Sequence, residues 1–364
     1  MIACKGQDLS LFFLADARLR LESTLMDVLR APQPTTAAAA TALIDAPVPG
    51  ANSLPARLER PPSTSRRIAW RYAVPIISIH LLSLACLWPW LFSWTGVVLL
   101  AVGIYFYGGL GINIAYHRLL THRSFECPKW LERSLTVVAL CCMEDSPGSW
   151  VATHRLHHNE SDTPPDPHSP LVSFLWGHVG WLLIENYNVR CFSAYDRYAR
   201  DVLRDPFYMR LQRTMLGVYI YLAHAALYFL GGLIAGWATT GSLAAGMQFG
   251  LSLVAWGVLL RTVCVWHITW SVNSLSHLHG YRTYDTQENS RNNWFVALIT
   301  SGEGWHNNHH ADPASATNAH RWWELDGTFG VIWLLERCGL ATRVVRPRHL
   351  RRTAVPRPKF LQPR

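Results

Sequence analysis

Residues 96–122 read GVVLLAVGIYFYGGLGINIAYHRLLTH, an apolar run from Gly96 to Ala115 without a single Lys, Arg, Asp or Glu, followed at once by His117 and His122. A run of about 20 such residues is what a bilayer-spanning helix needs. Three further runs match it, Val74–Leu91, Met215–Ala235 and Leu243–Ser271, and across all four the only Lys, Arg, Asp or Glu is Arg261. The first two and the last two are each separated by a few residues, so they pair as two helical hairpins. Composition agrees: the 364-residue chain has 17 tryptophans and is only 16% charged, against about a quarter for ordinary soluble domains. The expected fold is therefore an all-α integral membrane protein with four transmembrane helices. A soluble protein with a large helical core is the weaker alternative, because the runs are too long and too free of charge.

Orientation follows from the basic residues. The short connections Trp88–Thr95 and Trp237–Ser242 carry no Lys or Arg, whereas the segments before the first run (Arg66, Arg67, Arg71), between the hairpins and after the last run are rich in them. The positive-inside rule then puts both termini and the central segment in the cytoplasm. Trp88, Trp90, Trp94 and Trp237 fall where an aromatic belt on the far side belongs. The second and fourth runs continue past what the hydrocarbon needs, and Arg261 marks where the fourth leaves it.

Histidines cluster four times: His117 and His122; His154, His157 and His158; His277, four residues after Asn273; and His306, His309 and His310. All fall at the cytoplasmic ends of runs or in cytoplasmic segments. Imidazole is a good ligand for iron, copper and zinc. Nine imidazoles exceed what one ion takes, so two metals with four or five each are expected. On a helix the H-x-x-H-H spacing, present twice, places its histidines on one side, while adjacent ones diverge by about 100° and can face different ions. Glu303, Asp162 and Asp166 lie close in sequence to these histidines and are candidates to orient them. His80 and His224, inside the runs, and His267 are read as helix-contact or outer residues; His168, His178, His279, His320 and His349 are read as non-ligands.

The first 65 residues form a separate extension: weak helical periodicity over Leu9–Leu29, then a Pro/Ala/Thr-rich run from Ala31 to Pro62 that reads as a disordered linker. No signal peptide is expected. The body spans 66–345, and 346–364 form a basic tail. Eight cysteines without a C-x-x-C pair argue against an iron-sulfur cluster or a disulfide framework. The net charge of +9 is mostly the positive-inside bias, and no nucleic-acid partner is expected.

At these clusters the chain resembles the membrane fatty acid desaturases, in particular the Δ9-type, stearoyl-CoA desaturase-like branch. The strings HRLLTHRSFECP (117–128), HRLHHNESDTPPDPHSP (154–170), HVGWLL (178–183), VNSLSHLHGYRTYD (272–285) and GEGWHNNHHADP (302–313) carry the resemblance, which extends over about residues 70 to 345. It implies a four-helix stem under a helical cytoplasmic cap, with two Fe ions at the junction. One iron is implied to be held by His117, His122, His154, His158 and His309. The other is implied to be held by His157, His277, His306 and His310, with Asn273 acting through a water. The implied reaction removes two hydrogens from a methylene pair of a fatty acyl chain, using dioxygen and two electrons. Such a step is delegated to a cofactor, while the protein places the chain.

The chain has no haem-binding or flavin-binding motif, so an external donor such as a ferredoxin, rubredoxin or cytochrome b5-like protein, with its reductase, is implied. By resemblance Trp150 walls the mouth of the acyl tunnel, and Ala101 and Tyr105 line its far end. Animal acyl-CoA members carry an Arg-Asp pair directly before the second cluster, where this chain has Ala152 and Thr153. A glycerolipid acyl chain is therefore a serious rival to acyl-CoA, and a bacterial inner membrane is expected rather than the endoplasmic reticulum. The alternatives are a fatty acyl hydroxylase or acetylenase of the same superfamily and, from another class, a histidine-rich metal transporter. The transporter is disfavoured because transport sites lie near the bilayer midplane.

Overall fold

The computed structural model describes residues 57–351. The periodic segment Leu9–Leu29 and most of the Pro/Ala/Thr-rich run lie outside them, as does the end of the basic tail. Residues 57–65, assigned to the extension above, take part in the fold: Leu58 N–H donates to Leu171 O at 3.1 Å, and strand β1 (Thr64–Ile68) pairs antiparallel with β2 (Ile184–Asn186). Beyond residue 345, Arg346 pairs with Glu336 and Arg351 with Asp312. The folded body thus exceeds 66–345 at both ends.

Among the described residues, four helices are long and apolar enough to cross a membrane: α1 (Trp70–Leu87), α2 (Trp94–Thr121), and, after α3 (Lys129–Leu140) and α4 (Pro147–Glu160), α5 (Leu216–Thr240) and α6 (Leu243–His277). The chain is a mostly helical membrane protein. Helix α1 sits four residues earlier than the apolar run, because Pro89 has no N–H to continue the ladder and starts a separate turn, Pro89–Leu91. Ser93 then caps α2, its Oγ accepting from Gly96 N–H at 3.0 Å. Trp256 Nε1 of α6 donates to Leu91 O at 3.0 Å, which sets the α1–α2 loop beside the first part of α6. Trp88, Trp90, Trp94 and Trp237 are all exposed.

Helix α6 has 35 residues, or roughly 52 Å at 1.5 Å each, against a hydrocarbon core of about 30 Å. Both α2 and α6 therefore project beyond the bilayer, as their sequences indicate. Arg261 is fully buried, and rather than reaching water it donates to Cys141 O at 2.9 Å and lies 4.2 Å over the Tyr107 ring. It ties α6 to the end of α3. Helix α3 crosses α2 where Gly111 lies, since a Cβ there would meet the Ala139 backbone at 2.6 Å. Buried Arg155 of α4 donates to Leu120 O and Thr121 O, carbonyls that the end of α2 leaves without helical partners. Three short α-helices follow α6: α7 (Trp294–Ile299), α8 (His306–Ala311) and α9 (Gly327–Arg337).

The α5–α6 hairpin closes on glycines spaced four apart on both helices. A Cβ on Gly232 would lie 2.7 Å from Gly250 Cα, and one on Gly236 2.8 Å from Gly246 Cα. Without a hydrophobic drive between helices in lipid, such close backbone packing holds spans together. Gly250→Leu is expected to destabilise the detergent-solubilised protein by about 1–3 kcal/mol through overpacking, lowering its thermal midpoint; an unchanged midpoint contradicts the close contact.

Candidate metal centre

The nine histidines come from four helices. Residues Ile104–Thr121 of α2 are wound as a π-helix, and the His122 N–H donates to His117 O at 3.1 Å. In an α-helix residues five apart diverge by about 140°; a ladder closing i→i+5 stacks them instead. The two rings lie 4.7 Å apart. Helix α4 supplies His154, His157 and His158, the end of α6 supplies His277, and α8 supplies His306, His309 and His310.

The rings form two groups. His117, His122, His154, His158 and His309 bring ligand atoms within 4.8 Å of one another, and so do His157, His277, His306 and His310. This is the division the resemblance implies. Asn273, about two turns past Trp266 on α6, lines the cavity that His306 and His117 also line.

Each group fits a cation. His117 Nε2 lies 3.1 Å from His309 Nε2, which lies 3.0 Å from His158 Nε2, itself 3.1 Å from His154 Nε2; His306 Nε2 lies 3.1 Å from both His277 and His310 Nε2. Glu303 holds His117 Nδ1 at 2.8 Å, Asp166 holds His157 Nδ1 at 3.0 Å and Asp162 holds His277 Nδ1 at 2.8 Å. A carboxylate only accepts, so those Nδ1 atoms carry the proton and the Nε2 lone pairs are bare. His157 Nε2 and both nitrogens of His122 are buried without a hydrogen-bond partner. Imidazole-to-imidazole bonds can relieve some of these contacts, but not atoms that have none. A cation in each group would take His157 Nε2 in one and one nitrogen of His122 in the other, and an all-imidazole donor set suits iron, copper or zinc.

Electrostatics points the same way. Burial, then the neighbouring imidazoles, pushes His122, His154, His158, His306, His309 and His310 well below 6.5, which keeps them neutral and ready to ligate. Burial alone would raise Glu303, but Arg118 and His117 bring it down to about 2. His277 and His157 likewise outweigh burial and hold Asp162 and Asp166 below the usual carboxylate range. The sequence points to these three carboxylates by proximity. Glu288, 3.7 Å from His310 Nδ1, has no such signal, being far along the chain from its histidine.

A largely apolar cavity runs past both groups between α1, α2 and α6. Trp150 lines it, stacked on His154 at 4.9 Å, and its indole N–H donates to Glu144 at 3.4 Å. Glu144 also accepts from Thr269 Oγ1 at 2.8 Å, yet burial pushes its carboxyl up to about 8, so this carboxyl is mostly protonated at neutral pH. Tyr105 lines the cavity but Ala101 does not; it is exposed one turn farther from the histidines. Ile104, Gly108 and Gly109 line it too from this part of α2, and a Cβ on Gly109 would enter open space. Four residues after Tyr105, not four before, is the position the cavity meets. His267 is not near the groups' nitrogens but hydrogen-bonds to His80 at 3.1 Å and His178 at 2.9 Å, and His224 bonds to Tyr107 at 3.0 Å. His168 packs on His157 with rings 4.3 Å apart and lines the cavity.

Four spans, two buried imidazole groups at the ends of α2 and α6, and an apolar cavity leading to both define a membrane metalloenzyme of an apolar chain. Residues 88–333 match the sequence model of the family described as fatty acid desaturase. The chain is 41% identical over 282 residues, 78% of its length and 96% of the relative's, to an sn-1 stearoyl-lipid 9-desaturase of Anabaena variabilis. It is 42% identical to an sn-2 palmitoyl-lipid 9-desaturase of Nostoc sp. (72% of this chain, 86% of that one) and 40% identical to an acyl-CoA 5-desaturase of Anemone leveillei (74% and 77%). This chain belongs to the fatty acid desaturase family, and it is an oxidoreductase of fatty acyl chains. The transporter alternative is set aside.

The depressed histidines make the metal-free protein sensitive to acid. Unfolded, they titrate near 6.5; folded, they do so well below. Between those values the unfolded state binds more protons, so stability is present above 6.5 and is lost as pH falls below it, at up to about 1.4 kcal/mol per histidine per pH unit. The thermal midpoint of chelator-stripped protein should fall between about pH 7.5 and pH 5.5; a flat profile contradicts the buried, neutral groups.

Proposed function

We propose that this protein introduces a cis double bond at the ninth carbon of a saturated fatty acyl chain carried on a membrane glycerolipid. The observation that carries the reading is the meeting of two cation-ready imidazole groups with one apolar cavity. Two Fe ions would be held there, the first by His117, His122, His154, His158 and His309, the second by His157, His277, His306 and His310, with Asn273 through a water. With dioxygen, bound iron supplies the oxidising power that no side chain has. The balance is one methylene pair, O2, two electrons and two protons in, and one double bond and two waters out. The electrons come from a ferredoxin, rubredoxin or cytochrome b5-like donor with its reductase, met on the cytoplasmic side of a bacterial inner membrane.

The protein's own residues hold and place. Glu303, Asp166 and Asp162 fix the tautomers of His117, His157 and His277, so that Nε2 is the ligating atom. Trp150, Thr269 and the uncharged Glu144 form a cavity wall against His154, where the methylene pair would lie. Tyr105 and Gly109 lie on the part of α2 that would receive the chain's methyl end.

Relatives of nearly equal identity are named for lipid-linked and CoA-linked substrates, so overall similarity does not choose the carrier. Local chemistry supports the glycerolipid. Ala152 and Thr153 are buried in α4 and bring no charge to grip a CoA head group. Membranes containing the protein, given isotopically labelled palmitoyl and stearoyl chains on phospholipid and on CoA, should yield cis-9 products at least as fast from phospholipid. Strict dependence on CoA contradicts the carrier, and a hydroxylated product contradicts the reaction.

A further inference from the structure

The two histidine groups differ in what stands behind their imidazoles. In the four-histidine group three Nδ1 atoms face carboxylates, His277 on Asp162 at 2.8 Å, His157 on Asp166 at 3.0 Å and His310 on Glu288 at 3.7 Å. In the five-histidine group one does, His117 on Glu303 at 2.8 Å.

The carboxylates also differ in their remaining partners. Glu303 faces the buried guanidinium of Arg118 at 2.7 Å, a cation it shares with Asp326 at 3.0 Å, so its charge is offset in part. Asp162 accepts from Ser169 Oγ and from Asn289 N–H at 2.8 Å; Asp166 accepts from the N–H groups of Asp162 at 2.8 Å and His168 at 3.1 Å; Glu288 accepts from Ser290 Oγ at 2.8 Å. Those donors are neutral. Among the described residues, the ion pairs of these three carboxylates are with histidines. The loop after α4 is shaped to present two of them, with Asp162 at φ 56°, a left-handed conformation that Asp tolerates better than most residues.

We infer that the two groups load unequally: the four-histidine group takes its divalent cation first and more tightly, and Asp162, Asp166 and Glu288 are the positioning residues responsible. The inference rests on the proposed two-metal reading. Its physical basis is that an uncompensated carboxylate behind an imidazole raises the ligand's basicity and adds negative charge near the ion, each such partner being worth about 10–100-fold in affinity. The five-histidine group has one more imidazole, which acts the other way. Three carboxylates whose ion pairs are with histidines, against one that Arg118 offsets in part, outweigh that single ligand.

The test is a Co²⁺ titration of the full-length, chelator-stripped protein in detergent, following visible absorption and bound metal. Two phases of one equivalent each are expected, the first at least about tenfold tighter. His306→Ala should remove the tight phase and His122→Ala the weak one. The isosteric changes Asp162→Asn and Asp166→Asn should weaken the tight phase about 10–100-fold and spare the other, while Glu303→Gln weakens only the other phase, and by a smaller factor. Equal affinities, loss of the tight phase in His122→Ala, or a tight phase indifferent to both Asp→Asn changes overturns the inference and leaves the two-metal reading standing. Failure of either group to bind Co²⁺ in the unaltered protein overturns both.

Discussion

Nine buried imidazoles cannot satisfy one another. Each neutral ring has one N–H and one lone pair, and here carboxylates take the N–H of three, leaving lone pairs 3.0–3.1 Å from the lone pairs or rings of their neighbours. Burial holds His122, His154, His158, His306, His309 and His310 well below 6.5, so protonation is no escape for them, whereas Asp162 outweighs burial at His277 and raises it to about 9. The arrangement is costly without a cation and favourable with one, and much of the cap is organised around that requirement.

The rest of the fold can be followed outward from it. The π-winding of α2 stacks His117 over His122; the overlong α6 lifts His277 clear of the hydrocarbon; and Arg155 fastens α4 to the end of α2, so that two histidine-bearing helices keep a fixed separation. Arg118 joins Glu303 to Asp326 and thereby the segment before α8 to the start of α9. The stem, closed by glycine contacts between α5 and α6, supplies the rigid base. The same α2 and α6 that present the histidines also wall the cavity, so an acyl chain lying between them is directed to the metal groups by the geometry that builds those groups.

Much of this was legible in the sequence, for identifiable reasons. Spans announce themselves by length and lack of charge, and H-x-x-H-H runs by spacing, so four helices and nine candidate ligands needed no coordinates. Properties that depend on winding or on distant contacts were hidden. An H-x4-H pair is unremarkable on an α-helix and acquires meaning only when the ladder shifts to i→i+5. Ala101 and Gly109 are equally spaced from Tyr105, and only the path of the cavity selects Gly109. Glu288 reaches His310 through a fold-back, and Glu144 becomes uncharged through burial that no local pattern reveals. Residues 57–65 read as part of a separate extension, yet Leu58 is bonded to Leu171 and Thr64 is paired with Asn186, both far along the chain.

The central claim is that the two histidine groups are two metal subsites of one desaturase. Iron analysis of protein purified from iron-replete cells, alongside its His157→Ala and His122→Ala variants, tests it most directly. About two irons per chain are expected in the parent and about one in each variant, with desaturation lost in both, if each substitution empties the one subsite it belongs to. One iron per chain in a fully active parent, or full activity in either variant, would contradict it.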